Sequence, residues 1–173
     1  MRPIRAITRT AIARTAVTCA VVISVGAAMS TTAHAGTPDG EVQRQVATQI
    51  AAHGGTQTGP GEITYRNGAV KLIIPSARQA ATCPGGWYCF FQYSNYRGRM
   101  LQFQDCGGDQ FLGDYGFRNY TTSWQNHTGH TVEVFDEDVQ PWKLLWTEHP
   151  TTEAVSVGTE ADNRADFFTT YCA

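Results

Sequence analysis

Four cysteines, Cys83, Cys89, Cys106 and Cys172, constrain this chain more than any other feature of its sequence. They come after a segment that reads as an export signal. Arg2, Arg5, Arg9 and Arg14 precede an apolar run over 16–29, and Ala33-His34-Ala35 offers small residues at the two positions a signal peptidase inspects. The run is shorter than the roughly 20 residues of a membrane span. Residues 1–35 are therefore read as a signal peptide cut after Ala35, with no arginine pair to mark the twin-arginine route. Thr18, before Cys19, is a poor match to the small residue that lipidation requires. The protein is expected to be secreted and extracellular, with no membrane association after cleavage. In an oxidising compartment an even number of cysteines reads as two disulfides. Three connectivities are open. Cys83 and Cys89 flank a tight Pro84-Gly85-Gly86 turn, which favours that pair and leaves Cys106 for Cys172. In the chain-entropy account the long loop stabilises by about 4 kcal/mol and the short one by about 2. A four-thiolate zinc site would need paired Cys-x-x-Cys knuckles, which the sequence lacks.

Composition narrows the class further. Charged residues make up 16% and aromatics 11%, with 17 Gly, which excludes a disordered tail, a coiled coil or a collagen-like chain. Aromatics and glycine are strand and turn material, so an all-β fold is expected. The 13 basic residues fall to nine once the four leading arginines are removed, against 15 acidic ones. A net charge near −6 leaves no electrostatic footprint for nucleic acid.

The region 36–82 reads as an N-terminal extension. Val42, Val46 and Ile50 recur every fourth residue, which predicts a short helix from near Asp39 to Gly54-Gly55. The runs 63–66 and 69–74 flank Asn67-Gly68, the composition of a type I′ hairpin turn, and Pro75 ends the second strand. Residues 76–82 read as a linker. One helix and one hairpin make a poor core of their own. The extension either docks on the cysteine-bearing region or is loosely held, and without cysteines it reads as a pro-segment or docking flap.

Residues 83–173 form the main domain. Strand-like runs at 87–92, 99–104, 131–135, 143–147 and 154–157 are broken by Gly and Asp/Asn clusters, the mark of a sandwich or barrel. A faint repeat runs through them. Phe91 and Phe135 are 44 residues apart, as are Asn119 and Asn163, while Leu112-Gly113 and Val157-Gly158 are one residue out of step. Two Greek-key halves packed face to face would explain it, since neither half can bury its apolar face alone.

Phe91-x4-Tyr96-x-Gly98, followed by Arg118-Asn119-Tyr120-Thr121-Thr122-Ser123, resembles the βγ-crystallin motif. The glycine would take a backbone conformation closed to other residues, an aromatic would pack over it, and the Ser123 hydroxyl would tie the hairpin down. Within that superfamily, the runs 83–106 and 112–117, with Thr122-Ser123-Trp124, look like the secreted microbial metalloproteinase-inhibitor family. The resemblance covers residues 83–172. It implies a double Greek-key sandwich with two disulfides. The second half departs from the motif: Gln140 and Trp142 stand where an aromatic and Gly belong, and Asp166-Phe167 replaces the closing Ser pair.

The family resemblance implies a secreted proteinase inhibitor and a metalloproteinase partner, with no cofactor. An inhibitor of this kind needs a rigid loop that loses little entropy on binding. No loop of this sequence identifies itself, and the family's small disulfide loop in the second half has no counterpart here. The other readings are a non-inhibitory extracellular module that binds calcium, carbohydrate or a cell-envelope component, and a killer-toxin-like protein. For calcium, the resemblance offers Thr122, Asp162, Asn163 and Asp166 as oxygen donors, although Arg118 occupies an acidic position. Asx turn chemistry accounts for Asp162-Asn163 without metal. His127-x-x-His130 lacks a third ligand, and Asp136-Glu137-Asp138 reads as a solvent-exposed hairpin tip. Trp142 and Trp146, four apart, would share one face of a strand. Ser123 lacks the Gly-x-Ser-x-Gly setting of a hydrolase nucleophile, and the disulfides consume the thiols. The chain is expected to be a monomer and not an enzyme.

Overall fold

The computed structural model describes residues 38–76 and 81–172. The signal peptide expected over 1–35, its cleavage after Ala35 and Cys19 lie outside the described residues, as does most of the expected linker.

Helix α1 (Pro38–His53) opens with proline, which is preset for a first helical position, and with Asp39 and Glu41 beside the positive end of the helix dipole. Gly54, at φ 69°, ends it, and its N–H donates to the Ile50 carbonyl at 2.9 Å. A meander comes next: β1 (Thr56–Gly59), β2 (Glu62–Tyr65) and β3 (Val70–Ile73). At the β2–β3 turn, Asn67 and Gly68 take φ of 55° and 100°, and the Ala69 N–H reaches the Arg66 carbonyl at 3.2 Å. This is the expected Asn-Gly turn, with Arg66 drawn into positive φ beside it.

The remaining strands are β4 (Tyr88–Tyr93), β5 (Arg97–Phe103), β6 (Gly108–Phe111), β7 (Ser123–Asn126), β8 (Thr131–Asp136), β9 (Lys143–Glu148), β10 (Thr152–Ala154) and β11 (Phe167–Tyr171). They form a double Greek key. One sheet runs β1-β2-β3-β5-β4-β7-β10 and the other β6-β11-β8-β9. Each Greek key lends its third strand to the other's sheet: β6 pairs with β11, and β10 pairs with β7.

The repeat seen in the sequence reappears as reciprocal backbone hydrogen bonds. Thr122 N–H donates to the Phe91 carbonyl, and Asp166 N–H to the Phe135 carbonyl, both at 2.9 Å. Asn119 N–H donates to Ala165 O, and Asn163 N–H to Thr121 O. The out-of-step pair behaves likewise, with Leu112 N–H on Asp166 O and Val157 N–H on Thr122 O.

The core lies between the sheets. Tyr88, Phe90, Leu101 and Phe103 from the first sheet meet Val132, Val134 and Phe168 from the second, with the Phe103 and Phe168 rings 4.8 Å apart, edge to face. Residues 38–74 enter this same core. Val70 pairs with Phe103 and Leu72 with Leu101 across β3 and β5, and Ile63, Val70 and Leu72 are fully buried beneath Val42 and Val46 of α1. The first sheet's other face carries a smaller cluster of Cys83, Cys89, Phe91 and Met100. The disulfides join Cys83 to Cys89 and Cys106 to Cys172, each with Cα atoms 5.9 Å apart. The second bond ties the strand that closes the domain back to its middle.

Candidate functional site

The motif of the first half builds a folded hairpin between β4 and β5. Asn95, Tyr96 and Gly98 all take positive φ, at 58°, 58° and 78°. Buried Ser123 holds the turn from the start of β7. Its Oγ accepts the Tyr96 N–H at 3.2 Å and donates to the Tyr93 carbonyl at 2.7 Å. The ring over the glycine is Tyr93 rather than Tyr96. A Cβ on Gly98 would lie 2.6 Å from Tyr93 Cδ2, while Tyr96 packs on Phe91 with centroids 5.5 Å apart. The extra residues of the folded turn carry Tyr96 past the glycine and onto the outer face of β4.

The second half solves the same problem with charge. Asp166, 1% exposed, accepts the Glu137 N–H on Oδ2 at 2.8 Å and the Arg118 Nε–H on Oδ1 at 2.6 Å. Arg118 reaches on to Asp138 at 2.6 Å and Glu137 at 3.4 Å. This pairing holds the Arg118 guanidinium above its ordinary pKa, chiefly through the Asp166 hydrogen bond. Asp138 N–H caps back onto Asp136 Oδ1 at 2.9 Å. The expected exposed tip over 136–138 is therefore corrected at Asp136, which is 1% exposed and bound by Arg164. Strand parity points Asp136 inward, like Val132 and Val134.

These contacts hold the backbone at Glu137 and Asp138, the start of the 137–142 loop, while residues 138–142 are exposed. Val139, Trp142 and Leu144 are 37%, 52% and 46% exposed. Trp142 stands edge-on to Phe167 with centroids 5.0 Å apart, and Phe167 is stacked on Phe135 at 5.1 Å and tilted against Phe111 at 5.5 Å. The result is an aromatic platform on the outer face of the second sheet. Trp142 and Trp146 do not share a face. A β-bulge pairs Val134 with Trp146 but Phe135 with Leu144, so Trp146 turns to the core and Trp142 outward. Arg164 and the Phe111–Phe135–Phe167 platform were not anticipated from sequence. Alternation within the Thr131–Asp136 run held the signal for Phe135 facing outward.

The calcium donors divide between two places. Thr122 Oγ1 donates to Asp162 Oδ1 at 2.6 Å in one, and Asp166 lies in the other with Arg118. Asn163, at φ 55°, serves the turn through its N–H. Asp136, Asp138 and Asp166 bring carboxylate oxygens within 4.8 Å of one another. Two guanidinium groups, from Arg118 and Arg164, already neutralise them. The cluster does not fit a calcium ion, which takes roughly 6–8 oxygen ligands, and the Thr122–Asp162 pair supplies one carboxylate. The His127 ring lies 3.1 Å from the Cys83 carbonyl through Nδ1, and His130 N–H donates to Thr128 Oγ1. Both belong to the linker between the Greek keys, which Asn126 organises through the carbonyls of His130, Glu148 and His149.

Residues 76–139 match peptidase inhibitor family I36. The match spans the first Greek key and β8 and ends inside the braced loop. Among solved structures, a βγ-crystallin domain from Clostridium beijerinckii is 24% identical with a TM-score of 0.40, covering 49% of this chain and 95% of that one. A structure described for the evolution of the eye-lens βγ-crystallin domain fold is 10% identical with a TM-score of 0.48, covering 60% and 98%. The N-terminal domain of Protein S is 13% identical with a TM-score of 0.38, covering 49% and 94%. No curated protein matches the chain. The match to a peptidase-inhibitor family thus lies within a double Greek key.

Proposed function

We propose that this chain is a secreted inhibitor of metalloproteinases that acts as a monomer by filling the protease cleft with the 137–142 loop. The family match over 76–139 carries the reading, and the loop supplies a means. A loop already anchored at Glu137 and Asp138 by buried Asp166, Asp136 and the Arg118 guanidinium has less conformational entropy to lose on binding than a free one. Its exposed Val139 and Trp142, continuous with Leu144 and Phe111, offer the apolar anchor that tight interfaces concentrate in a few residues. Among the described residues no helix is long and apolar enough to cross a membrane, in keeping with a protein that works outside the cell after export.

Titration of the purified protein into a thermolysin-like metalloproteinase is the test, with a serine protease in parallel. Stoichiometric loss of metalloproteinase activity is expected. Absence of inhibition in both classes would end the inhibitor reading. Trp142→Ala is expected to weaken inhibition about 30-fold, the effect of losing an interface anchor worth about 2 kcal/mol. Unchanged inhibition in that variant would move the contact surface elsewhere on the domain.

A further inference from the structure

Helix α1 and the first Greek key enclose a cleft of about 500 Å³, and Arg99 of β5 forms part of its wall. Arg99 has unusual surroundings. Its guanidinium carbon lies 4.7 Å from the Tyr120 ring centroid and 5.4 Å from that of Phe117. Its Nε–H donates to Gln92 Oε1 at 3.2 Å. Among the described residues its two terminal amino groups have no hydrogen-bond partner, and no carboxylate is in salt-bridge range. Arg44, Arg66, Arg118 and Arg164 each hold a carboxylate. Burial pushes the Arg99 pKa down, and only tyrosines oppose that push. A second cleft of about 450 Å³ opens on Arg99 beside Thr48, His53 and Arg118. The same cation therefore faces both spaces.

We propose that Arg99 anchors a binding site for a carboxylate-bearing saccharide, a uronic acid unit, in the cleft beneath α1. An arginine with both terminal amino groups free presents a planar fork that matches a carboxylate bidentately. Tyr93 and Tyr120, 55% and 44% exposed, line the same cleft, Tyr120 with one ring face on Arg99, and offer apolar ring surface to a sugar. Thr48 and Gln92 add polar groups to the lining. Glu41 also lines the cleft, but Arg44 and Gln45 engage its carboxylate. The wall offers a peptide no backbone to pair with, because β5 is bonded on both sides, to β3 and β4. The site shares no residue with the 137–142 loop, so it stands or falls apart from the inhibitory reading.

Calorimetric titration of the disulfide-intact protein with trigalacturonate tests the assignment, with maltotriose and triglutamate as the other arms. Saturable binding of trigalacturonate that weakens with salt is expected, together with no binding of maltotriose. Arg99→Gln is expected to lower affinity at least tenfold, with circular dichroism as the check on folding. Because Arg99 stacks on core-edge rings, Arg99→Lys and the exposed Tyr120→Ala provide a second line, each expected to bind several-fold more weakly. Absent trigalacturonate binding, equal binding of maltotriose, or unchanged affinity in all three variants would overturn the site. Tighter binding of triglutamate than of trigalacturonate would overturn the saccharide assignment in favour of an acidic peptide.

Discussion

Raising the pH from 5 to 8 is expected to cost this fold on the order of 4 kcal/mol through one side chain, Glu148. Its carboxyl is fully buried at the end of β9. Oε1 accepts the Trp146 indole N–H at 2.9 Å, and Oε2 has no partner. Among the described residues no cation forms a salt bridge with it. Burial raises its pKa from 4.5 to about 8. The folded protein thus keeps a proton that the unfolded chain releases above pH 4.5. Below that value both states are protonated and the contribution is fully present. Between 4.5 and about 8 only the unfolded chain gives up its proton, so stability falls by about 1.4 kcal/mol per pH unit. Three pH units give about 4 kcal/mol, a large part of the roughly 5–15 kcal/mol that holds a domain together. Above about 8 the folded state titrates too and the decline levels off. Urea unfolding at a series of pH values, with the disulfides intact, measures this in the wild type and in Glu148→Gln. The variant pays a fixed cost of about 1–3 kcal/mol for an unpaired buried amide but cannot ionise. It is expected to be the less stable protein at pH 5 and the more stable at pH 8. Parallel stability profiles would show that Glu148 does not hold its proton and would refute the reasoning.

Two further outcomes arise from the paired hairpin ties. Ser123→Ala removes the acceptor of the Tyr96 N–H and the donor to the Tyr93 carbonyl in a buried site, and is expected to cost about 1–3 kcal/mol in urea unfolding; a loss below about 0.5 kcal/mol would mean that the folded turn holds without it. Millimolar calcium is expected to leave the melting temperature unchanged, because Arg118 and Arg164 fill the acidic cluster; a rise would require the cation to bind the folded state.

The first Greek key was legible in sequence because its devices are local. A glycine at positive φ and a serine hydroxyl each announce themselves by residue type, as the Asn-Gly turn does in the meander ahead of it. The Cys83–Cys89 pair was legible for the same reason, since a Pro-Gly-Gly turn brings near neighbours together. The second Greek key was faint because it performs the same task with long-range partners. Asp166 replaces a serine, and its meaning depends on Arg118, 48 residues away. Such a substitution reads in one dimension as a broken motif. Strands β6, β7 and β11 were missed for a related reason. Gly108–Phe111 and Ser123–Asn126 are short and polar in composition, and they hold their places through pairing, β6 with β11 and β7 with β4 and β10, rather than through their own pattern. The bulge at Val134/Phe135 escaped notice because one extra residue reverses face assignment without changing composition. That is why Trp142 was assigned to the same face as Trp146.

The helix and meander ahead of the first disulfide alter what surface the domain can present. Ile63, Val70 and Leu72 are fully buried, and burying such a side chain is worth about 1.5–3 kcal/mol. Their combined contribution matches a good part of a typical domain's net stability. Stripping β3 away would also leave the seven-residue β5 as an open edge, able to pair with another chain. Residues 38–74 close the first sheet on the β5 side and, through α1, build the cleft in which Arg99 lies. The edge of the second sheet remains open at β9, beside the 137–142 loop. The exposed Val139, Trp142 and Leu144 lie in and next to that loop.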